Sequence, residues 1–165
     1  MLLNLAGMVS ESIVDGPGLR LTVFTQGCRH HCRGCHNPET WSFRPQNQHD
    51  TADIVALLRA NPLLDGLTLS GGDPFEQVAA CTELALAVKA LGLNVVTYTG
   101  YTIEALLADP SRRPLVLASD WLIDGRYERS LKTLSQPFMG SRNQRMIEVA
   151  AYLATLPTLE TPGST

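Results

Sequence analysis

The sequence predicts an α/β fold built on a parallel β-sheet. Short β-branched or apolar segments alternate along the chain with longer segments that repeat apolar residues at helical spacing, and this order is typical of parallel strands joined by helices. Three loops with unusual chemistry, QGCRHHCRGCHNPETW, GGDP and TGYT, each follow a predicted strand. Because ligands of such sheets bind outside the carboxyl ends of the strands, we expect the three loops to form one site.

The first half of the chain supplies two predicted strands with a helix between them. LRLTVFT, residues 19–25, alternates in character after the turn residues DGPG, which indicates a strand. TADIVALLRANP, residues 51–62, begins with a capping Thr, carries an apolar face and ends at a Pro, so it predicts a helix. GLTLS, residues 66–70, predicts a short buried strand that ends at a pair of glycines.

The second half repeats this alternation and then becomes less regular. The later predicted elements are, in order, a helix in residues 75–92 that ends at a glycine, a strand in 93–99, a short helix in 102–110, a helix end followed by a strand at 121–123, irregular structure in 126–145, and a strand, or a strand passing into a helix, in 146–156.

Composition indicates one ordinary globular unit. The 165 residues are 44% hydrophobic and 18% charged, with a formal net charge of −3, so we expect a single domain over residues 1–165 with a loose tail from about residue 156. The basic residues are scattered along the sequence, which argues against a nucleic-acid binder. With no signal-peptide pattern and no apolar run of about 18 residues, we expect a soluble, cytoplasmic protein without a membrane partner.

Three cysteines in one short loop, Cys28, Cys32 and Cys35, carry the most specific chemistry. Three thiolates could hold a 4Fe–4S cluster and leave one iron open for a substrate. The same thiols could bind a structural zinc ion with a nearby histidine as the fourth ligand, or they could be redox-active. In a reducing compartment a disulfide is the weakest interpretation, because the number of thiols is odd.

The remaining candidate residues have simpler interpretations. Cys81 lies in a predicted helix among apolar neighbours and is expected to be a small buried residue, not a fourth ligand. His30 and His31 are expected to be exposed in the loop, and His49 to lie at the surface. His36 follows a candidate ligand directly, and it is expected to pack beside the site without catalysing a reaction.

Several stretches together resemble a known family. CRHHCRGC has the Cys-x₃-Cys-x₂-Cys spacing of the radical S-adenosylmethionine (SAM) enzymes, and LSGGDPF resembles their SAM-binding glycine motif. VDGPGLRLTVFTQGC and CHNPETW are similar to activating enzymes of glycyl-radical proteins. WLIDGRYERSLKTLSQPFMGSRNQRMIEV resembles the branch of that family that activates anaerobic ribonucleoside-triphosphate reductase. The resemblance covers about residues 12–149.

The resemblance implies an incomplete parallel β/α barrel with a 4Fe–4S cluster and SAM as cofactors. It implies the following roles: Cys28, Cys32 and Cys35 bind three irons, the backbone at Gly34, Cys35 and His36 runs beside SAM, and Gly71, Gly72 and Asp73 line its methionine end, with Asp73 accepting a hydrogen bond from the ammonium group. The family often has an aromatic residue at the position of Gly34 and Glu at that of Asp73, and both variants fit the reductase-activating branch.

The implied activity is radical generation without a general acid or base. A flavodoxin- or ferredoxin-type donor would reduce the cluster, SAM would be cleaved, and the 5′-deoxyadenosyl radical would take hydrogen from a glycine of the reductase large subunit. Two alternatives stay open at this point. One is the activation of another glycyl-radical enzyme, of the pyruvate formate-lyase type, and the other is a non-catalytic zinc-binding module that docks a partner.

Overall fold

The computed structural model describes residues 1–45 and 47–157, and the end of the predicted tail lies outside them. The described chain forms one seven-stranded mixed sheet in the order β3-β1-β2-β4-β5-β6-β7. Its strands are β1 Leu2–Ser12, β2 Arg20–Thr25, β3 Gln48–Asp50, β4 Gly66–Gly71, β5 Asn94–Tyr98, β6 Trp121–Asp124 and β7 Arg145–Glu148. The helices are α1 Thr51–Ala60, α2 Val78–Ala90, α3 Ile103–Ala108, α4 Arg113–Ala118 and α5 Val149–Thr155.

The four central strands confirm the predicted parallel α/β sheet. Strands β2, β4, β5 and β6 pair in parallel, whereas β1 and β3 at one edge and β7 at the other pair antiparallel to their neighbours. The sheet is therefore mixed, whereas the sequence predicted a parallel sheet. The stretch 146–156 is a strand passing into a helix, β7 followed by α5, which confirms one of the two predicted arrangements.

Helix α2 begins later than its sequence pattern predicts. Asp73 caps a 3₁₀ turn at Pro74–Glu76 by accepting from the Phe75 amide, and the α-helix begins only at Val78. The buried face of α2 repeats every three or four residues and consists of Ala80, Cys81, Leu84, Ala85 and Val88. Cys81 is therefore a buried core residue, as predicted. No helix in the described chain is long and apolar enough to cross a membrane.

The two faces of the parallel strands have different environments. Leu21, Val23, Leu67 and Leu69 point to the helical side and belong to the main hydrophobic core. Since strand side chains alternate between faces, Phe24 and its counterparts on β4 and β5 point to the opposite side, where they line a cavity. The helices thus cover one face and leave the other available for a site.

Arg20 anchors the DGPG turn over this second face. Its side chain is fully buried and donates to Thr68 Oγ1 at 2.7 Å, to the Pro17 carbonyl at 2.9 Å and to two further carbonyls. Thr68 in turn donates to the Asp15 carbonyl at 2.7 Å. Burial lowers the pKa of Arg20 to about 10, so the guanidinium stays charged at neutral pH. These bonds fix Asp15 at the rim of the cavity.

Two leucines on α2 provide a matched test of the core. We expect Leu84→Ala to lower the free energy of unfolding by about 2–5 kcal/mol, because the side chain is fully buried and its loss leaves a cavity. Leu86→Ala, on the exposed side of the same helix, should change it by no more than about 0.5 kcal/mol. Urea titration of both variants measures this, and equal losses would contradict the assigned helix face.

Candidate functional site

A cavity of about 280 Å³ lies at the carboxyl ends of the parallel strands. All three loops predicted to converge there contribute to its wall. The cysteine loop supplies Cys28, Cys32, Cys35 and His36, the loop after β4 supplies Gly71 and Gly72, and the loop after β5 supplies Thr99 and Gly100. The volume lies close to the lower end of the range for small-molecule pockets.

Hydrogen bonds between its two ends close the cysteine loop. Gly27 N donates to Thr40 O at 2.7 Å, and Gln26 Nε2 donates to the carbonyls of Glu39 and Ser42. These bonds close the stretch into a compact loop whose thiols face the cavity. Cys28 is buried, Cys32 and Cys35 are half-buried, and all three are free thiols.

Burial raises the pKa of the Cys28 thiol to about 11, although backbone amides of His30 and His31 oppose the rise. Burial also raises the pKa of Cys32. Redox-active cysteines work as thiolates and need a lowered pKa, so this environment disfavours a redox role for these two thiols. A bound metal ion would stabilise the thiolates, because metal binding displaces the thiol protons.

The histidines beside the cysteine loop make contacts of their own. Within residues 1–45 and 47–157, no group of three His, Cys, Asp or Glu side chains is arranged to hold one metal ion, which would require ligands converging at about 2.0–2.3 Å from one point. The nearby histidines are otherwise engaged, because His31 stacks on Trp41 and His36 packs edge-on against Tyr127. A cluster presents several separate irons, so its thiolates surround it and need not converge on one atom.

Gly71 and Gly72 allow the end of β4 to lie directly against the start of the cysteine loop. Gly71 has φ +98°, and a Cβ there would lie 2.4 Å from the Thr25 amide nitrogen. A Cβ on Gly72 would lie 2.3 Å from the Gly27 carbonyl oxygen. The glycine pair is therefore required for close backbone packing at the cavity wall, as glycine often is at such approaches.

The structure corrects the expectation for Asp73. Its carboxylate is fully buried and does not line the cavity. The oxygens accept hydrogen bonds from the Phe75 amide, the Thr99 hydroxyl and the Gly100 amide, and they bond His30 Nε2 at 2.7 Å. With four partners inside the protein, the carboxylate is not placed to accept directly from a ligand ammonium group.

His30 also differs from its prediction. Its side chain is 3% exposed, is bonded to Asp73 and packs edge-on against Tyr101 at 4.4 Å. The adjacent Arg29 donates to Glu76 Oε2 at 2.6 and 3.0 Å. Two neighbouring residues of the cysteine loop are therefore clamped to two carboxylates of the GGDPFE segment. We name Arg29, His30, Asp73 and Glu76 the loop clamp.

Gly34 does not line the cavity in this arrangement. It is exposed, has φ +76°, and a Cβ there would lie 3.1 Å from the Arg129 side chain, on the outer side of the loop. Left-handed backbone favours glycine, which explains why no aromatic residue occupies this position. Its neighbours Cys35 and His36 line the cavity.

Sequence reasoning missed Glu76 and the contribution of Tyr101. Tyr101 donates to Glu76 Oε1, and the Arg112 guanidinium lies 4.2 Å from the centre of the Tyr101 ring and donates to its hydroxyl. The motif TGYT placed Tyr101 near the site, but no local pattern identifies its partner 25 residues earlier in the chain. These contacts extend the loop clamp to the loop after β5.

The clamp gives a direct prediction for stability. We expect His30→Ala to lower the free energy of unfolding of the metal-free protein by about 1–3 kcal/mol, because the buried Asp73 carboxylate loses a hydrogen-bond partner. His49→Ala, which removes a ring bonded to Asn47 at the surface, is the control and should cost no more than about 0.5 kcal/mol. Anaerobic urea titration measures both changes. A His30→Ala variant as stable as the control would contradict the clamp.

Comparisons with known proteins identify the family of this chain. A family model described as a 4Fe–4S single cluster domain matches residues 14–147. The anaerobic ribonucleoside-triphosphate reductase-activating protein of Pasteurella multocida (strain Pm70) is 34% identical over 158 residues, covering 91% of this chain and 100% of that protein. The protein of that name from Enterobacteria phage T4 is 36% identical over 140 residues, covering 81% of this chain and 86% of that protein.

A solved structure gives a weaker likeness. QueE from Escherichia coli aligns with a TM-score of 0.46 at 16% identity and covers 62% of this chain and 54% of that chain, which is too distant to carry an argument. The curated relatives and the cluster-domain match are sufficient. The chain belongs to the family of anaerobic ribonucleoside-triphosphate reductase-activating proteins, within the 4Fe–4S single cluster domains.

Proposed function

We propose that this protein is a radical SAM activase that generates a glycyl radical on anaerobic ribonucleoside-triphosphate reductase. One observation carries the proposal. Three thiols from a single loop and the glycine pair after β4 line the same cavity. A 4Fe–4S cluster with bound SAM supplies one-electron cleavage of the sulfonium and hence a 5′-deoxyadenosyl radical.

The side chains of this chain bind and position these groups. Cys28, Cys32 and Cys35 would hold three irons and leave the fourth for the amino and carboxylate groups of SAM. The cavity wall formed by Cys35, His36, Gly71 and Gly72 would contact SAM, because these residues line the space beside the thiols. Asp73 would act indirectly, because it holds His30 and the loop after β5 in position. No residue is required as a general acid or base.

We also propose that the sheet is the partial barrel of the radical SAM enzymes and that residues 1–165 form one domain. The asymmetry of the sheet supports this, because helices cover one face and the other face lines the cavity. In an incomplete barrel, the inner face of the strands encloses the ligand. The edge strands β3 and β7 lie at opposite ends of the sheet order. In a partial barrel, these two unpaired edges would border a lateral opening.

The partners follow from the family. The names of the relatives indicate the reductase, so its large subunit is the proposed protein substrate, and the lateral opening would admit its glycine segment. A flavodoxin- or ferredoxin-type protein is the proposed electron donor, and the cytoplasm is the proposed compartment. The pyruvate formate-lyase type of activase is less well supported, because the relatives described above are reductase activators.

Replacing one cysteine tests the proposal. We expect Cys32→Ala to abolish the cluster signal and to reduce 5′-deoxyadenosine formation to background, because only two thiolates then remain. The assay uses anaerobically reconstituted protein with dithionite and SAM. Cys81→Ala is the matched control, since this thiol is fully buried in α2 away from the cavity.

The control should retain iron, acid-labile sulfide and SAM cleavage. A Cys32→Ala protein that keeps wild-type iron content and cleaves SAM would overturn the assignment of the cysteine loop. Wild-type protein that carries zinc and no acid-labile sulfide would instead support the zinc-binding module.

A further inference from the structure

Positive charge is concentrated on two segments that are far apart in the sequence. Residues 26–45 and 126–145 contain eight of the thirteen Lys and Arg residues and two of the sixteen Asp and Glu residues. These segments therefore carry a net charge of +6 in a chain whose net charge is −3. The fold brings several of these basic residues together at one surface.

Three of these cations surround the outer side of the cysteine loop. Arg33 and Arg129 line one surface groove together with Tyr127 and Glu128. An added Cβ on Gly34 would lie 3.1 Å from Arg129 Cδ, so the Arg129 side chain lies against this glycine. Arg126 directly precedes Tyr127, which lines the same groove. We name Arg33, Arg126 and Arg129 the cationic rim. Lys132 and Arg142 lie nearby in the sequence, where the backbones of Lys132 and Ser141 form an isolated antiparallel β-bridge.

The side chains of the cationic rim are not used within the protein. All three are exposed, and in the described part of the chain none forms a salt bridge or a side-chain hydrogen bond. Other arginines are engaged, since Arg29 pairs with Glu76 and Arg145 pairs with Glu104 and Asp124. Unpaired like charges repel one another, so their grouping lowers stability slightly unless a partner neutralises them.

The cationic rim is separated from the cavity by the cysteine loop itself. The groove and the cavity have only Tyr127 in common. A protein seated on the groove would lie close to Cys32 and Cys35 without entering the space where SAM and the glycine segment must meet. A partner that needs only to deliver an electron fits this position, whereas the protein substrate must reach the cavity.

We propose that the cationic rim docks a small acidic electron-carrier protein that reduces the cluster. The inference rests on the proposed function. One electron would pass from the carrier to the cluster. The carrier would be oxidised by one electron, the cluster would be reduced by one electron, and no bond would form or break. A positively charged surface favours an acidic partner because the charges are complementary. Electrostatic steering of this kind raises association rates by about 10–10³-fold.

Charge reversal tests this docking surface. The variants are Arg33→Glu and Arg129→Glu, singly and together, with Arg59→Glu on the exposed side of α1 as the matched control. The probes are reduced flavodoxin, an acidic one-electron carrier, and dithionite, a small chemical reductant. Stopped-flow absorbance follows cluster reduction, and 5′-deoxyadenosine is quantified with each reductant.

With flavodoxin at an ionic strength of about 0.01 M, we expect the double variant to be reduced about tenfold or more slowly than wild type and the Arg59→Glu control to be unaffected. The difference should shrink at about 1 M salt, where charges are screened within about 3 Å. With dithionite, all variants should be reduced and should cleave SAM at the wild-type rate.

Three results would overturn the inference. Reduction of the double variant by flavodoxin at the wild-type rate at low salt would show that the surface has no part in electron delivery. Normal reduction together with reduced glycyl-radical formation on the reductase would assign the surface to the reductase. Wild-type protein that fails to cleave SAM even with dithionite would overturn the proposed function, and this inference with it.

Discussion

The arrangement of the site depends on one buried carboxylate. Asp73 has no solvent exposure, and its oxygens bond His30 from the cysteine loop, Thr99 and Gly100 from the loop after β5, and the backbone that follows β4. Hydrogen bonds to a charged group are each worth about 1.5–3 kcal/mol, and an unpaired buried charge is costly. Asp73 therefore joins the three loops whose thiols and glycine pair line one cavity.

The sheet supplies the platform on which this carboxylate acts. The parallel strands end side by side, so residues far apart in the sequence meet at one edge. Gly71 and Gly72 then let the backbone after β4 approach the start of the cysteine loop, with Gly72 N donating to Thr25 O at 2.7 Å. Close backbone packing of this kind would keep a bound cofactor beside the thiols and would limit the access of water. Positioning and exclusion are the main contributions of a protein to chemistry that a cofactor performs.

Features with a local sequence pattern could be predicted, whereas contacts between residues far apart in the sequence could not. The cysteine spacing, the glycine pair and the parallel central strands have local signatures, and the structure places the predicted loops together. Strand β1 was missed because Leu3, Leu5 and Ser12 are its buried residues, so no regular alternation appears. The bond between His30 and Asp73 joins residues 43 positions apart, and neither residue carries a sign of its partner. The cationic rim likewise forms only when two distant loops meet.

The central claim is that three thiolates hold a 4Fe–4S cluster whose fourth iron binds SAM. Electron–nuclear double resonance on the reduced, reconstituted protein with SAM labelled by ¹⁵N at its amino group tests it most directly. The account predicts a ¹⁵N hyperfine coupling to the cluster spin, which is absent with unlabelled SAM. A reduced cluster that binds SAM without this coupling would contradict the open iron site, and the absence of any cluster signal from zinc-containing protein would contradict the cluster itself.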